Sequence, residues 1–536
     1  MTKATAIHQI EEKIKTAPAI YYQVAMPQPE SHLFEVILQV ENWQAPLLNL
    51  KMPVWTPGSY LVREYAKQIQ DFSAEVTLDN ESLSSKKLNP KRAIFEKISK
   101  NHWQINTQNA STIIIRYRVF ANELSVRTNH LDYTHGYFNG AAIFFFIAGL
   151  EKQPIKVKIV PPKPNWQVTT TLPLLSEEVN TFEAKDFDTL VDSPFEIGSH
   201  NLYEFEVLGK PHQWAIWGEG NAKPEKLVED TKKIIEVEAK LYGDLPYESY
   251  LFLLHLSASG FGGLEHKDSC SLNYPRFGFR AKDKYNRFMQ LVAHEFFHLW
   301  NIKRIRPKAL EKFDYEQENY TTSLWFCEGT TSYYDSLIPL WAGIYDPKTF
   351  LEILSKEITR FLTTPGRKVQ PVSESSFDAW IKLYRRDANS DNSQISYYLK
   401  GEMVSLLLDL LIRKRHNNKR SLDDVMGQMW QNFGKDEIGF TPQELQDTIE
   451  SVADTDLNDF FHRYIHGTEE LPFDEYLKPF GLQVNKIFED EPFPYLGVKV
   501  KAENGKEIIK FVEAGSPAGL AGVDAGDELL AINGMR

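Results

Sequence analysis

The sequence predicts a multidomain α+β chain: a β-sandwich-like amino-terminal domain, a mixed region that turns mainly helical, and a β-rich carboxy-terminal end. Three observations carry this. At 536 residues the chain is too long for a single hydrophobic core. Residues from about 18 to 218 are runs of β-branched and aromatic residues separated by turn signals. Beyond Asn221 the apolar spacing becomes helical. The expected segments are 1–218, 219–370, 371–480 and 485–536.

In the first segment, HLFEVILQV (His32–Val40) and STIIIRYRVF (Ser111–Phe120) have the composition and partial alternation of strands. KVKIVPP ends in prolines, and WTPGSY (Trp55–Tyr60) is a turn between such runs. Two layers of these strands make a sandwich the economical fold. Next, Lys223–Gly243 has helical spacing at Leu227, Ile234, Val237 and Leu241. The strand-like YLFLLHL (Tyr250–Leu256) follows, then the glycine run GFGGLEHKDS (Gly260–Ser269). From Lys282 to about Gly467 the pattern is mainly helical, as in GEMVSLLLDLLIRKRH (Gly401–His416), and the β-rich end starts near Pro494.

Composition narrows the function classes. Hydrophobic content of 42%, charge of 25% and aromatics of 13% are those of an ordinary globular protein. A net charge of −13 argues against nucleic acid or an anionic membrane surface as partner, and is compatible with a peptide amino terminus. Two cysteines, Cys270 and Cys327, make no disulfide framework and favour a reducing compartment. The opening MTKATAIHQIEEKIKTAP has no apolar h-region. Ala141–Leu150 is too short to span a bilayer and is expected to be a buried strand. A cytoplasmic location is expected.

The strongest local signal is VAHEFFHLW. His294 and His298 are four residues apart, so on a helix they project from one face as two metal ligands must. Val292, Phe296 and Leu299 supply a core face on roughly the opposite side. Glu295, beside the histidines, is placed to take a proton from water activated at such a metal. A catalytic zinc keeps three protein ligands, and SLWFCEGTTSYYDSL (Ser323–Leu337) offers Glu328 as the third. Asp335, seven residues on, shares its face and can orient a ligand from behind.

HEFFHLWNIKRIRP with WFCEGTTSYY resembles the glutamate-ligand zinc peptidases (gluzincins), specifically the glycyl aminopeptidase family that carries a PDZ module. MPVWTPGSYLVREY and LVDSPFEIG are similar to that family too. The 29 residues between His298 and Glu328 exceed the interval of the larger leukotriene-hydrolase-like enzymes, as this family's insertion implies. The resemblance implies a thermolysin-like catalytic domain with a helical carboxy-terminal part and one Zn²⁺ per chain. It also implies the remaining site residues. ISYYLKGEMV (Ile395–Val404) resembles the gluzincin Y-x-K-G signature, which puts the oxyanion donor at Tyr398 with Lys400 and Gly401 completing the match. Tyr397 is the adjacent competitor, and Tyr333 and Tyr334 come next. GGLEH (Gly262–His266) resembles the G-x-M-E-N strand, whose backbone pairs with peptide and whose glutamate binds the free α-amine. On that likeness Gly262, Gly263, Glu265 and His266 are expected to bind substrate, although His266 is equally a structural histidine. Cys270 is expected to be a small core residue. Arg463 and His466 could contact substrate carbonyls, with a helix-end role the stronger expectation.

PYLGVKV (Pro494–Val500) and AGSPAGLAGVDAGDELLAINGMR (Ala514–Arg536) resemble a PDZ domain, with Tyr495–Val498 as its carboxylate-binding loop. The fold needs a second helix and closing strand after ING, so a partial PDZ is expected. The predicted function is a zinc aminopeptidase acting on peptides with a free amino terminus, with a preference for glycine or alanine implied by the resemblance. A zinc endopeptidase and a degenerate peptide-binding scaffold are the alternatives.

Overall fold

The computed structural model describes residues 17–77, 91–175, 178–486 and 494–535. Residues 1–16, on which the reading of the amino-terminal end rests, lie outside them, as do 487–493 of the carboxy-terminal segment. Leu33–Glu41 and Thr112–Phe120 are strands, paired antiparallel with Val36 opposite Tyr117. Their apolar residues alternate with polar ones, so each strand buries one face. They lie near the middle of a seven-stranded sheet that also holds Ala19–Ala25, Ile155–Val160 and Ile69–Thr77. A four-stranded sheet contains Leu47–Lys51 and His102–Asn106. One apolar core joins the two, from Val24, Phe34 and Ile115 to Leu50, Trp103 and Phe145. A third sheet, which includes His135–Phe138 (β1) and Phe195–Gly198 (β2), adds Phe138, Phe195 and Ile197 to that core. The β-rich unit is present, built from three sheets where the sequence predicts a two-layer sandwich.

Ala141–Leu150 is largely buried but is not one strand. The Asn139 side chain accepts the Ala141 N–H and caps a 3-10 turn at Gly140–Ala142, leaving only Phe146–Ile147 extended. A side chain that satisfies backbone donors locally removes them from a sheet ladder.

A second difference concerns the hairpin of Asn201–Val207 and Lys210–Trp217 (β3). It joins a five-stranded sheet rather than the amino-terminal ones. That sheet also holds Tyr250–Ser257 (β4), Gly262–Glu265 (β5) and Ser269–Pro275 (β6), in the order Asn201–Val207, β3, β4, β6, β5. β3 and β4 are parallel, which requires a crossover, and the helix Pro224–Tyr242 (α1) supplies it. α1 buries Leu227 and Ile234 as their spacing predicts and stops at Gly243, whose φ is +91°. β4 has parallel neighbours on both sides and is buried at every position, which explains its unbroken apolar run. Among the described residues β5 pairs with β6 alone and is therefore an edge strand.

Helices follow, among them Lys282–Phe297 (α2), Thr331–Trp341 (α3) and Tyr397–Arg415 (α4). A single apolar core runs from Trp214 in the sheet through these helices to Leu477. Residues 494–535 contain a hairpin, Val498–Glu503 with Lys506–Val512, and a helical turn at Pro517–Leu520. Asn392 ties this end to the helical part, donating to Val512 O at 3.0 Å and accepting from Ala514 N at 2.9 Å. Both cysteines are buried and free. Among the described residues no helix is long and apolar enough to cross a membrane.

Candidate active site

α2 carries His294 and Glu295 in its last turn, and His298 follows as its C-cap. The His298 N–H still bonds to His294 O at 3.2 Å, so the two imidazoles remain one turn apart. Val292, Phe296 and Leu299 are fully buried and fix the helix in the core.

Each imidazole has its Nδ1 occupied by an oxygen. His294 Nδ1 lies 2.9 Å from Asp335 Oδ2, and His298 Nδ1 lies 2.9 Å from the Asn301 carbonyl. A carbonyl only accepts, so His298 carries its proton on Nδ1 and keeps its lone pair on Nε2. The Asp335 carboxylate holds His294 Nδ1 in the same way and directs its Nε2 at Glu328, where a bound cation would take the place of a proton. Both Nε2 atoms face Glu328 Oε2, at 3.5 Å from His294 and 3.2 Å from His298. Ligands at about 2.0–2.1 Å from a tetrahedral zinc stand roughly 3.3 Å apart, so both imidazole–carboxylate edges have the spacing that ion needs, and all three donors lie within 4.8 Å of one another.

The charge balance agrees. Burial favours a neutral Glu328, but His298 and His294 outweigh it and hold the carboxyl down to about 2. Burial likewise works against protonating His294, and the hydrogen bonds to Asp335 and Glu328 more than reverse it. The pocket is built to hold positive charge.

Glu328 projects from a π-helical turn, Trp325–Thr330, that runs into α3. Asn301 secures this turn: its Nδ2 lies 3.0 Å from each of Phe326 O, Cys327 O and Thr331 Oγ1, its two protons shared among the three acceptors. One residue thus orients His298 through its carbonyl and Glu328 through its side chain. Sequence reasoning missed Asn301, and an asparagine three residues past a histidine is no signal by itself.

The Y-x-K-G segment meets the same turn. A Cβ on Gly329 would come within 2.4 Å of Gly401 Cα, and one on Gly401 within 2.4 Å of Trp325 O. α4 therefore touches the π-turn backbone to backbone, which brings Tyr398 to the cleft with its ring 6.2 Å from that of His294. Tyr397 is fully buried and does not line the cleft. The Tyr384 hydroxyl lies 3.2 Å from that of Tyr398. Tyr333 and Tyr334 donate to Asp409 and Asp423. Lys400 is buried and donates to Gly467 O at 3.1 Å, a structural role. Gly401→Ala is expected to force α4 from the turn, cost about 1–3 kcal/mol of stability and lower activity beyond that loss. Thermal melting and peptidase assays of the variant check this, and wild-type values in both would contradict the packing argument.

β5 forms one wall. Gly262 and Gly263 line the cleft, and Glu265 at the strand's end is only 4% exposed. A Cβ on Gly263 would fall 2.1 Å from Glu295 Oε1, so the glycine makes room for that carboxylate. Glu265, Glu295 and His298 bring donor atoms within 4.8 Å of one another, which puts Glu265 in the same cleft as the histidine helix. Burial pushes the Glu295 carboxyl above the usual carboxylate range, with His294 and His298 opposing it.

Two contributions come from the amino-terminal unit, and sequence reasoning placed neither. Gly58 of WTPGSY, at φ +85°, lies where a Cβ would meet Glu265 Oε1 at 2.5 Å. Arg127 Nη2 donates to Gly263 O at 3.0 Å. Both line the cleft, whose volume is about 1030 Å³.

His266 does not line it, contrary to the expectation of a substrate contact. Its Nδ1 lies 3.2 Å from Asp192 Oδ1, which also accepts from Lys303 Nζ at 2.6 Å. LVDSPFEIG, which contains Asp192, thus anchors the end of β5. Arg463 pairs with Glu469 at 2.7 Å, His466 lies 3.3 Å from Ser373 Oγ, and neither lines the cleft.

Two family models match the chain: the Peptidase M61 N-terminal domain over residues 21–199 and M61 glycyl aminopeptidase over residues 287–404. An aminopeptidase N family protein from Idiomarina loihiensis is 33% identical, with a TM-score of 0.89 over 96% of this chain and 90% of that one. An M1 zinc metallopeptidase from Deinococcus radiodurans is 12% identical, with a TM-score of 0.52 over 85% of this chain and 94% of that one. A variant of that enzyme bound to a Tyr-Ser-Ala substrate, 14% identical, gives 0.51 over the same shares. At such identity the likeness is one of fold alone. No curated protein matches the chain. The second family model spans the stretch from α2 into α4, and the 33% identical relative aligns with nearly the whole chain, so the protein belongs to the M61 glycyl aminopeptidase family of peptidases.

Proposed function

We propose that this peptidase is a zinc-dependent aminopeptidase that removes residues, preferably small ones such as glycine or alanine, from the free amino end of peptides. One observation supports it above the rest: the buried Glu265 faces the same cleft as the trio of His294, His298 and Glu328. The trio would hold one Zn²⁺, with Asp335 and Asn301 fixing the imidazoles. The ion would supply Lewis-acid polarisation of the scissile carbonyl and the attacking water. Glu295 takes the proton of that water and delivers it to the leaving amine. Tyr398 donates to the carbonyl oxygen as negative charge develops on it. The free edge of β5 pairs with the peptide backbone, and Glu265 binds the terminal ammonium. The small-residue preference rests on family membership. We read the carboxy-terminal hairpin and turn as part of a PDZ-like module whose Tyr495–Val498 loop takes a peptide carboxylate, a reading supported by the left-handed Gly497 at φ +76°.

Hydrolysis of glycyl and alanyl anilides, with and without N-acetylation, tests the proposal. Zinc-dependent turnover of the free amines is expected, with at least about a tenfold loss on acetylation from the missing charge-assisted contact. Undiminished cleavage of acetylated substrates would make it an endopeptidase, and no zinc-dependent turnover would leave a scaffold.

A further inference from the structure

A second concentration of metal-type donors lies where the third amino-terminal sheet meets the five-stranded sheet. β1 and β2 pair antiparallel with His135 opposite Gly198 and Tyr137 opposite Glu196. Strand alternation therefore puts His135, Tyr137 and Glu196 on one face. A Cβ on Gly198 would lie 2.8 Å from His135 Cβ, so the glycine leaves space for that imidazole. From β4, the ring of His255 stands 4.6 Å from that of Tyr137 and 5.8 Å from that of His135. Trp217 of β3 stacks on His135 at 3.6 Å.

The cluster is buried and poorly satisfied. His135, Glu196, His200 and His255 are at most 3% exposed. Among the described residues, both ring nitrogens of His135, together with Glu196 Oε1 and His200 Nδ1, have no hydrogen-bond partner. An unpaired buried polar atom costs about 1–3 kcal/mol, so such a set in one place calls for a partner that engages several donors at once. A cation does that. His135, Glu196 and His255 each bring a donor atom within 4.8 Å of the other two. His255 Nε2 and Glu196 Oε2 are 2.8 Å apart. Parting them by about 0.5 Å gives the edge of a tetrahedral zinc site.

We propose that His135, Glu196 and His255 form a second metal site for a divalent transition ion of the zinc type, one that clamps the amino-terminal unit onto the five-stranded sheet. His200 stands beside the carboxylate, its Nδ1 lying 4.0 Å from Glu196 Oε1. Full burial keeps substrate out and makes this a structural site rather than a catalytic one. Imidazole with a single carboxylate suits Zn²⁺. The clamp bears on the cleft through Tyr137, whose hydroxyl lies 2.8 Å from the Ser271 hydroxyl on β6 and 3.3 Å from Val126 O, next to Arg127.

Metal analysis of the full chain after dialysis tests this. Two zinc equivalents are expected in the wild type and one in His294→Ala/His298→Ala, which removes the cleft's imidazoles. Glu196→Gln, which keeps shape and so guards against loss of fold, should remove one equivalent from the otherwise native chain. One equivalent in both the wild type and the double variant would support this site and count against zinc in the cleft. A double variant that is folded by circular dichroism yet takes no zinc from micromolar free Zn²⁺ overturns the proposal. So does unchanged metal content in Glu196→Gln.

Discussion

Glu295→Gln should lower kcat for glycyl and alanyl anilides by about 10²–10⁴-fold, with zinc content and melting temperature as in the wild type. Glutamine has the shape of glutamate and fills the space that Gly263 leaves beside it, but its amide cannot take up a proton. Among the described residues Glu295 Oε2 is buried without a hydrogen-bond partner, which leaves that oxygen free for a substrate-side role. Burial raises its carboxyl, so the proton-accepting form is lost as pH falls through that raised value. The acid limb of kcat/KM should accordingly lie above about pH 4.3, the ordinary glutamate value. A variant that keeps more than a tenth of wild-type kcat would show that the base is elsewhere.

What the sequence made legible follows from how far apart the cooperating residues lie. His294, Glu295 and His298 occupy a single helical turn, so helix geometry alone brings them together. Glu328 and Asp335 share a continuous helical stretch, and one face of it serves both roles. Tyr398 and Glu265 needed a family likeness, because an isolated tyrosine or acid has no spacing to test. Contacts between distant backbones left no trace that a single chain can show. The approach of Gly329 to Gly401, of Gly58 to Glu265 and of Gly263 to Glu295 each depends on a missing Cβ. In the sequence these glycines look like those of any turn. The hairpin Asn201–Trp217 misled for a related reason: alternation identifies a strand but not the sheet it joins. For His266 the family likeness left a substrate contact and a structural role equally open, and only the fold, in which Asp192 holds its ring, separates the two.

Glu265→Gln is expected to lower kcat/KM for free-amine substrates by about 10²-fold or more while leaving N-acetylated peptides nearly unaffected. Removing one partner of a buried, hydrogen-bonded charge pair costs about 2–5 kcal/mol, most of it for the charge left behind. Glu265 is buried at the end of an edge strand, so an ammonium bound there is withdrawn from water and depends on the carboxylate. The contrast between the two substrates is the diagnostic quantity. A structural role for Glu265, or distortion of the neighbouring trio of His294, His298 and Glu328, would slow both alike. Gly58→Ala offers an independent route to the same contrast, since its Cβ would press on Glu265 Oε1 at 2.5 Å from a backbone held at φ +85°. It shifts the carboxylate without removing its charge, so a milder loss confined to free-amine substrates is expected. Equal losses on free and acetylated substrates in both variants would remove Glu265 from substrate recognition and turn the reading toward an endopeptidase.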